Sequence, residues 1–377
     1  MMNCKRSVAP NSAAIIGGND DLLLQILIFF PAKSLVRFKL VSKHWHSLIS
    51  DSSFSELHTL RHRHGPKPQP SFLLRSTTSQ FFHFDPTVKK LTTFRFKFPF
   101  VNILQSCNGL ILLEGKNTQY GRKNYYIYNP ATMQSRKLLI DDAEKKTFSG
   151  LCLVFNPSKS YHYQVICFRK DKNINWPELG EWFEVYDSET HTWIYGRKTT
   201  YTRPNTYCNG VYCNGDIFYI RLRPRPLCFV PNDDFYSVSK IPRIRSPGEK
   251  RTCVMESNGY LHYMVQSLHM DKKYICVYEM NEDYYSWFVK YRVDLNPVSA
   301  TFGNNGKAIT VLGIIRGEKE EDTTLLFHVP GKIMLYRFFN EIFEVLVDFT
   351  REIYYQGGIL QFGSKDSYQF VETLVPV

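Results

Sequence analysis

The feature that most constrains the fold is a hairpin pattern that recurs along residues 71–377. In each copy an aromatic-rich run meets a polar turn and then a second run; the copies are FFHFDPTVKKLTTF, YYIYNPATMQSRKLL, WFEVYDSETHTWIYG, LCFVPNDDFYSVSKI, ICVYEMNEDYYSWFV and IMLYRFFNEIFEVLV. The residues just before the turns are Phe84, Tyr128, Tyr186, Val230, Tyr278 and Tyr336. Their spacing averages about 50 residues, which is typical of four-stranded, kelch-like propeller blades.

Upstream of most hairpins lies a second pair of short apolar runs, so each repeat predicts four strands. The first copy has only SFLLR before it, and the carboxy-terminal strands IYYQGGILQF and SYQFVETLV have no hairpin after them. We therefore expect these strands to complete the first blade, because ring closure removes exposed sheet edges. This favours six blades and leaves seven open.

Composition supports a β-rich chain. The 28 Phe and 24 Tyr residues favour strands, because aromatic side chains pack well on a pleated surface. A chain of 377 residues is also long for one domain. The predicted fold class is multidomain, α and then all-β.

The amino-terminal segment from Asp20 to Phe54 has an apolar excess. Its first helix is predicted to begin at Asn19 or Asp20, with acidic residues at the positive end of the helix dipole. Two apolar faces are predicted: Leu23, Ile26, Leu27 and Phe30 form one, and Leu24 and Ile28 form the other. A unit of about 40 residues covers one such face, so the other needs a partner.

Further helices follow in the same segment. Pro31 ends the first helix, and a second is predicted to begin at Lys33 or Ser34. Ser42 is a plausible cap of a third, with Trp45, Leu48 and Ile49 facing inward, and Ser53 begins a short fourth helix.

This segment resembles the F-box, the helical module that docks on the Skp adaptor of Skp-cullin-F-box ubiquitin ligases. The matching residues are Asp20, Asp21, Leu22, Leu23, Gln25, Ile26, Leu27, Pro31-Ala32-Lys33-Ser34-Leu35, Arg37-Phe38, Val41-Ser42-Lys43, Trp45, Ser47-Leu48-Ile49-Ser50-Asp51 and Phe54. Gly18-Asn19 stands where the family usually has Leu-Pro, a pair that helps to grip the adaptor. The resemblance therefore implies adaptor docking, weaker than is typical.

The blades resemble the F-box-associated domain of plant F-box proteins. That resemblance rests on Cys107-Asn108-Gly109-Leu110, Tyr128-Asn129-Pro130-Ala131-Thr132 and the segment from Tyr368 to Val375. The blades do not carry the combined Gly-Gly and Trp signature of kelch repeats or the Trp-Asp of WD40 repeats. Together the two resemblances cover residues 19–377 and imply the substrate receptor of a ubiquitin ligase, with the adaptor linking it to a cullin.

The expected domains are a disordered tail over 1–18, the F-box over 19–64, a Pro-rich linker over 65–70 and the propeller over 71–377. Candidate adaptor-binding positions, some of them structural, are Leu23, Leu24, Leu27, Ile28, Pro31, Leu35 and Val41. Trp45 and Leu48 are predicted to be core residues.

The chain has a net charge of +12, and the place where its basic residues cluster suggests where a target binds. Candidate substrate-binding residues are concentrated in the middle of the ring: Arg203, Arg221, Arg223, Arg225, Arg243 and Arg245. Guanidinium groups suit an acidic or phosphorylated protein segment. A solvated basic surface without a ligand is the alternative, and nucleic acid is disfavoured because no recognition motif accompanies the charge.

Metal, membrane and export functions find little support in the sequence. The nine cysteines form no C-x-x-C pair, which indicates reduced core residues of a nuclear or cytoplasmic protein. His58 and His62 have helical i, i+4 spacing but no third ligand, so we expect them to be solvated, and we expect no metal or cofactor. The apolar run is too short to span a membrane and lacks a signal-peptide cleavage site.

Catalysis also lacks a motif, since neither G-x-S-x-G nor H-E-x-x-H occurs. We therefore expect a non-catalytic substrate receptor. Two alternatives stay open: a protein that sequesters its target on the adaptor outside any cullin complex, and a propeller enzyme or lectin.

Overall fold

In the computed structural model a group of helices precedes the strands, as predicted, and one further short helix lies between two strands near the end of the chain. The described residues are 16–61, 69–98, 101–116, 123–140, 146–171, 181–199, 210–219, 227–229, 235–237, 249–269, 272–281, 283, 286–302, 309–350 and 360–377. The predicted tail over 1–18 and linker over 65–70 therefore lie mostly outside the described residues.

Four helices form an amino-terminal unit, which we call the head. They are α1 (Asp20–Leu27), α2 (Ala32–Phe38), α3 (Lys43–Ser50) and α4 (Ser52–Arg61). Asn19 caps α1 by accepting a hydrogen bond from the Leu22 amide at 3.1 Å, and Ser42 caps α3 by accepting one from the Trp45 amide at 3.1 Å. Both predicted caps are thereby confirmed, because each supplies an oxygen to an otherwise unpaired amide.

Within the described residues the strands form six four-stranded antiparallel sheets. Sheet 1 consists of β24 (Phe362–Phe370), β1 (Ser71–Ser76), β2 (Phe81–Asp85) and β3 (Lys90–Phe94). Sheet 2 consists of β4 (Val101–Cys107), β5 (Leu110–Lys116), β6 (Lys123–Asn129) and β7 (Gln134–Leu138). Sheet 3 consists of β8 (Lys146–Val154), β9 (Gln164–Asp171), β10 (Glu181–Asp187) and β11 (Thr192–Thr199).

The other three sheets follow the same order. Sheet 4 consists of β12 (Val211–Cys213), β13 (Asp216–Tyr219), β14 (Leu227–Phe229) and β15 (Phe235–Ser237). Sheet 5 consists of β16 (Glu249–Ser257), β17 (Tyr260–His269), β18 (Lys272–Met280) and β19 (Trp287–Asp294). Sheet 6 consists of β20 (Thr310–Ile315), β21 (Thr324–Val329), β22 (Lys332–Arg337) and β23 (Ile342–Asp348), and α5 (Asn296–Thr301) precedes it.

The ring closes through sheet 1, where β24 pairs with β1 across about 290 residues of sequence. Ser71 lies opposite Phe370 and Leu73 lies opposite Tyr368 in this antiparallel pair. The prediction that the carboxy-terminal region completes the first blade is confirmed. One carboxy-terminal strand, β24, pairs with the strand that contains SFLLR and supplies the fourth strand of sheet 1. Contacts join β24, β4, β8, β12, β16 and β20, so these strands line the axis of the ring.

Apolar side chains pack mainly between neighbouring sheets. One buried cluster joins sheets 2, 3 and 4 through residues such as Leu112, Phe155 and Tyr219, and a second joins sheets 5 and 6 through Met264 and Phe327. Apolar side chains are thereby buried where neighbouring sheets meet, and all six residues of β21 are buried.

Asn-Gly hairpins recur where an axial strand turns into its neighbour. Asn108-Gly109, Asn214-Gly215 and Asn258-Gly259 all have positive φ, with 44° and 100° at the first pair. Positive φ at both central residues is the requirement of a type I′ turn, which Asn-Gly meets at low cost. In each turn the Asn amide nitrogen donates to a backbone carbonyl of the next sheet, at Phe155, Gly259 and Gly317.

Candidate functional site

The head has a compact interior formed by its own helices. Leu23 and Leu27 of α1 pack with Leu35 of α2, Ile49 of α3 and Phe54 of α4. These five side chains are at most 3% exposed. Each contributes about 1.5–3 kcal/mol when it leaves water, so this interior holds the four helices together.

The seven predicted adaptor-binding residues fall into three groups. Leu23, Leu27 and Leu35 are buried in the head interior, and Leu24 and Ile28 are half-buried against it. Pro31 and Val41 are exposed. The buried three serve the structure of the head, and adaptor contact by the remaining positions stays a prediction.

A different group of apolar side chains faces water. This exposed apolar set consists of Leu22, Ile26, Phe29, Phe30, Leu40 and Val41. Ile26 is 44% exposed and Phe29 68%, while Leu40 reaches 87%. The sequence-based division of α1 is therefore wrong at Ile26 and Phe30, which do not share the buried face of Leu23 and Leu27. The i, i+4 spacing of Leu22 and Ile26 was the available signal, but α1 is apolar on both faces.

Helix α4 fixes the end of α1. His58 Nε2 lies 2.9 Å from the Phe30 carbonyl oxygen, and the Arg61 guanidinium donates to the Ile28 carbonyl. These carbonyls lie where a helix has no internal partners, so the two side chains satisfy the end of α1. The prediction that His58 is solvated is wrong, because its side chain is buried beneath α1.

Charged and aromatic contacts hold the exposed residues in place. His44 Nε2 lies 2.8 Å from Asp20 Oδ1, which joins α3 to the start of α1. The Arg61 guanidinium carbon lies 4.2 Å from the centre of the Phe29 ring, and Phe30 packs edge-on against Phe38 at 5.1 Å. The exposed rings are therefore supported from the side that faces the head.

The segment Val371–Val377, which we call the tail segment, joins the head to the ring. Leu374 is 4% exposed and belongs to the same apolar cluster as Leu23, Leu27 and Leu35. The Lys33 amide donates to Glu372 Oε2 at 3.1 Å. Direct packing therefore sets the position of the head on the ring, where the sequence had suggested a linker alone.

Sheet 2 holds the tail segment from the other side. The Asn129 side chain is fully buried and its Nδ2 donates to the carbonyls of Thr373 at 3.0 Å and Val375 at 2.8 Å. Its Oδ1 accepts from the Ala131 amide at 2.9 Å, which shapes the Asn129-Pro130 turn. Ala131 in turn packs on the apolar interior of the head. The buried side-chain amide of Asn129 therefore fixes both the Asn129-Pro130 turn and the tail segment Val371–Val377.

Comparison with known proteins shows what this arrangement is. A family model described as F-box protein At3g26010-like, beta-propeller, matches residues 74–303, and the F-box domain model matches residues 19–57. The chain belongs to this F-box β-propeller family. An F-box followed by a propeller is the general architecture of a substrate receptor of Skp-cullin-F-box ligases.

Relatives of this F-box protein come from Arabidopsis thaliana. F-box protein At5g07610 is 29% identical over 407 residues, covering 98% of this chain and 94% of the relative. F-box protein At2g34280 is 25% identical and covers 85% of this chain and 94% of the relative. The likeness thus includes both the head and the ring.

Solved structures are similar only at a distance. Kuenenia stuttgartiensis hydrazine synthase aligns with 83% of this chain at 10% identity and a TM-score of 0.43, and this chain spans about half of it, 48%. Pyrococcus horikoshii acylaminoacyl peptidase aligns with 83% of this chain at 8% identity and a TM-score of 0.38.

Several sequence-based predictions concern residues that the structure does not describe. All six candidate substrate-binding arginines, from Arg203 to Arg245, lie outside the described residues. Within the described ranges, no group of three or more His, Cys, Asp or Glu side chains could hold a metal ion. The helices of the described part are all too short or too polar to cross a membrane.

Proposed function

We propose that this F-box protein is the substrate-recognition subunit of a Skp-cullin-F-box ubiquitin ligase. Its head would dock on the Skp adaptor through the exposed apolar set, and its propeller would bind a protein target for ubiquitination. The observation that carries the proposal is that the head exposes Leu22, Ile26, Phe29 and Leu40 although its own interior is already filled.

The exposed apolar set is in contact with water, which costs free energy unless a partner covers it. Apolar area costs roughly 25 cal/mol per Å² when it stays in water, and large rings such as Phe29 add most. The ring contacts the head through the tail segment and leaves the exposed apolar set uncovered. A second polypeptide that buries this set is therefore the natural partner.

The protein would contribute proximity rather than bond making. A head fixed on the ring by Leu374 and Asn129 holds the target at a defined distance from the enzyme that the cullin brings. An encounter between two dilute proteins then becomes nearly intramolecular. We accordingly propose a non-catalytic receptor.

The proposed target is an acidic or phosphorylated protein bound by the ring. The support is the arginine-rich composition of residues 203–245 within a chain of net charge +12. Changing Arg223, Arg225, Arg243 and Arg245 together to Glu is expected to abolish target capture and to leave adaptor binding intact. Unchanged target capture in a co-precipitation assay would show that these arginines do not form the target-binding site.

We also propose a nuclear or cytoplasmic location. The described cysteines Cys107, Cys152 and Cys167 are buried free thiols. Burial raises the pKa of Cys152 and of Cys167 to about 12, which keeps these thiols protonated and unreactive. Buried free thiols suit a reducing compartment.

The decisive experiment changes the exposed apolar set without touching the interior. Ile26→Asp and Leu40→Asp place a charge where the proposal puts an apolar contact, so each is expected to weaken adaptor binding at least tenfold. Binding of purified Skp adaptor to the full-length chain would be measured by calorimetry. Val88→Asp is the matched control, because Val88 is 64% exposed but lies on the ring.

The outcomes separate the candidate functions. Loss of adaptor binding in the head variants but not in V88D supports docking through this surface. Equal affinity in all variants would exclude it. Co-purification then asks whether cullin accompanies the adaptor: its recovery with target ubiquitination supports a ligase, whereas adaptor without cullin supports sequestration.

A further inference from the structure

The exposed apolar side chains of α1 form one line along the helix. Leu22, Ile26 and Phe29 are spaced i, i+4 and i+7, so they share a face, and they are 40%, 44% and 68% exposed. The line therefore ends on the largest and most exposed side chain of the three. The Phe29 amide donates to the Ile26 carbonyl at 3.2 Å, so Phe29 lies in the tight turn that closes α1.

The ring of Phe29 is in contact with a cation. The guanidinium carbon of Arg61 lies over this ring at 4.2 Å from its centre, within the ~6 Å range of a cation–π contact. The same guanidinium donates to the Ile28 carbonyl, one residue before Phe29. A planar group with several donors can stack and donate at once, whereas a lysine ammonium is a point charge on a flexible stem. Arg61 therefore contacts both the Phe29 ring and the backbone that carries it.

The next ring along the chain is held by different neighbours. Phe30 packs edge-on against Phe38 of α2 at 5.1 Å, and Phe38 packs edge-on against Trp45 of α3 at 5.7 Å. These contacts run through helices α2 and α3, whereas the contact of Phe29 with Arg61 runs to α4. Loss of the Arg61 side chain is therefore expected to release Phe29 and to leave the packing of Phe30 in place.

Arg61 lies outside the segment that matches the F-box. The F-box domain model ends at residue 57, and Arg61 is the last residue of α4. The helix thus continues over residues 58–61, about one turn. This extra turn brings Arg61 to the end of α1, next to the carbonyl of Ile28, which is 33 residues earlier in the chain. The exposed apolar set is accordingly shaped by a residue that the F-box resemblance does not include.

A side chain that is fixed before binding loses less freedom when a partner covers it. An exposed Phe that rotates in water must give up this freedom in a complex, and the lost entropy lowers the affinity. Contact with Arg61 restricts Phe29 before the partner arrives. The contact also becomes stronger once the partner excludes water, because a desolvated cation–π pair is more favourable than an exposed one.

We propose that Phe29 is the anchor of the adaptor-docking surface and that Arg61 is its positioning residue. The inference rests on the proposed function, because it takes the Skp adaptor as the partner that covers the exposed apolar set. Arg61 acts through Phe29, since it fixes the ring in the orientation that the adaptor meets. A rigid aromatic side chain of this kind is typical of the few residues that dominate the affinity of an interface.

The test is a double-mutant cycle in the full-length chain, with the affinity for purified Skp adaptor measured by calorimetry. Phe29→Ala is expected to weaken binding about tenfold or more, and Arg61→Ala about fivefold. In the F29A background R61A is expected to have no further effect, because no ring is left for Arg61 to position. Arg61→Lys keeps the charge but not the stacked guanidinium, so it should weaken binding nearly as much as R61A.

Arg292→Ala is the matched control. The Arg292 guanidinium carbon lies 4.1 Å from the centre of the Tyr274 ring, so it makes the same kind of contact, but on sheet 5 of the ring. Its loss should leave the affinity for the adaptor unchanged. A melting curve for each variant shows that it is folded.

An effect of R61A that disappears in the F29A background supports the proposal. The proposal is overturned if R61A weakens binding equally with and without Phe29, since Arg61 would then act through the Ile28 carbonyl. It is also overturned if R61K binds as tightly as the unchanged chain, since charge alone would then suffice. Failure of the proposed function is distinguishable, because F29A and the Ile26→Asp variant would then both keep full affinity. Lost affinity in I26D together with full affinity in R61A overturns only the role of Arg61.

Discussion

Leu374 shows how much one side chain far along the sequence contributes to the head. It lies in a cluster with Leu23 and Leu27, about 350 residues away in the chain. The F-box resemblance ends near Phe54 and covers the helices alone, so it could not identify a core residue supplied by the tail segment. Local periodicity describes neighbours in sequence, and this contact depends on ring closure.

Leu374→Ala is expected to lower the free energy of unfolding of the head by about 2–4 kcal/mol, because it removes buried methyl groups and leaves a cavity. Urea denaturation followed by the helical circular-dichroism signal measures this change, because the longest helices of the described residues lie in the head. Leu57→Ala is the control, since Leu57 is 53% exposed on α4 and its loss should change stability by less than about 0.5 kcal/mol. Equal stabilities of the two variants would contradict the role of Leu374.

His328 gives the fold an acid-sensitive point. Burial lowers its pKa to about 4, and its Nε2 donates to the Leu360 carbonyl at 3.3 Å. The unfolded chain takes up this proton near pH 6.5 while the folded chain resists until about pH 4, so stability falls as the pH is lowered across that window. The loss amounts to about 3 kcal/mol at most.

His328→Gln is therefore expected to flatten the decline in unfolding free energy between pH 6.5 and 4. Denaturation curves at several pH values measure it, with His46→Gln as the exposed control. A decline that is as steep in H328Q as in the unchanged chain would show that other groups cause the acid sensitivity.

At the scale of elements, caps and turns could be predicted while the orientation of α1 could not. Asn and Ser are preferred at helix starts because their side-chain oxygens accept from an unpaired amide, and both Asn19 and Ser42 are observed as caps. Helix α1 is apolar on two sides, so its sequence does not determine which side faces the interior of the head. Tertiary contacts decide this: α4 places His58 and Arg61 at the end of α1, and Leu23 and Leu27 then face inward.

The Asn-Gly hairpins differ in what surrounds them, which allows a paired test. Gly109 and Gly215 both have positive φ, at 100° and 114°. A Cβ on Gly109 would lie 2.3 Å from the Val371 carbonyl oxygen, whereas one on Gly215 would meet only the Lys159 side chain at 3.7 Å. Of these two glycines, only Gly109 leaves the space that the tail segment occupies, in addition to permitting the turn.

Gly109→Ala is expected to cost more stability than Gly215→Ala. Both lose about 1–2 kcal/mol through backbone strain, and only G109A must also displace the tail segment. Thermal unfolding measures the total, and limited proteolysis of the tail segment measures its release. Similar proteolysis rates in the two variants would show that the tail segment does not depend on Gly109.

At the scale of the whole molecule, the sequence predicted the order of domains and the closure of the ring, because repeats and turn residues are local signals. The contact between head and ring was not predicted, since Glu372, Leu374 and Asn129 act across separate parts of the chain. The cavity of about 270 Å³ between the head and the axis of the ring could not be predicted either, because residues from all six sheets line it. The arginines of residues 203–245 stay a prediction.

Ring closure by β24 imposes an order on biosynthesis. Residues 362–375 leave the ribosome about 290 residues after β1, so a nascent chain displays sheet 1 with an unpaired edge and a head without Leu374. A chain that terminates before these residues lacks both the closing strand β24 and Leu374. The head therefore reaches its finished form only together with the ring, and translation errors that omit the end of the ring also leave the head incomplete.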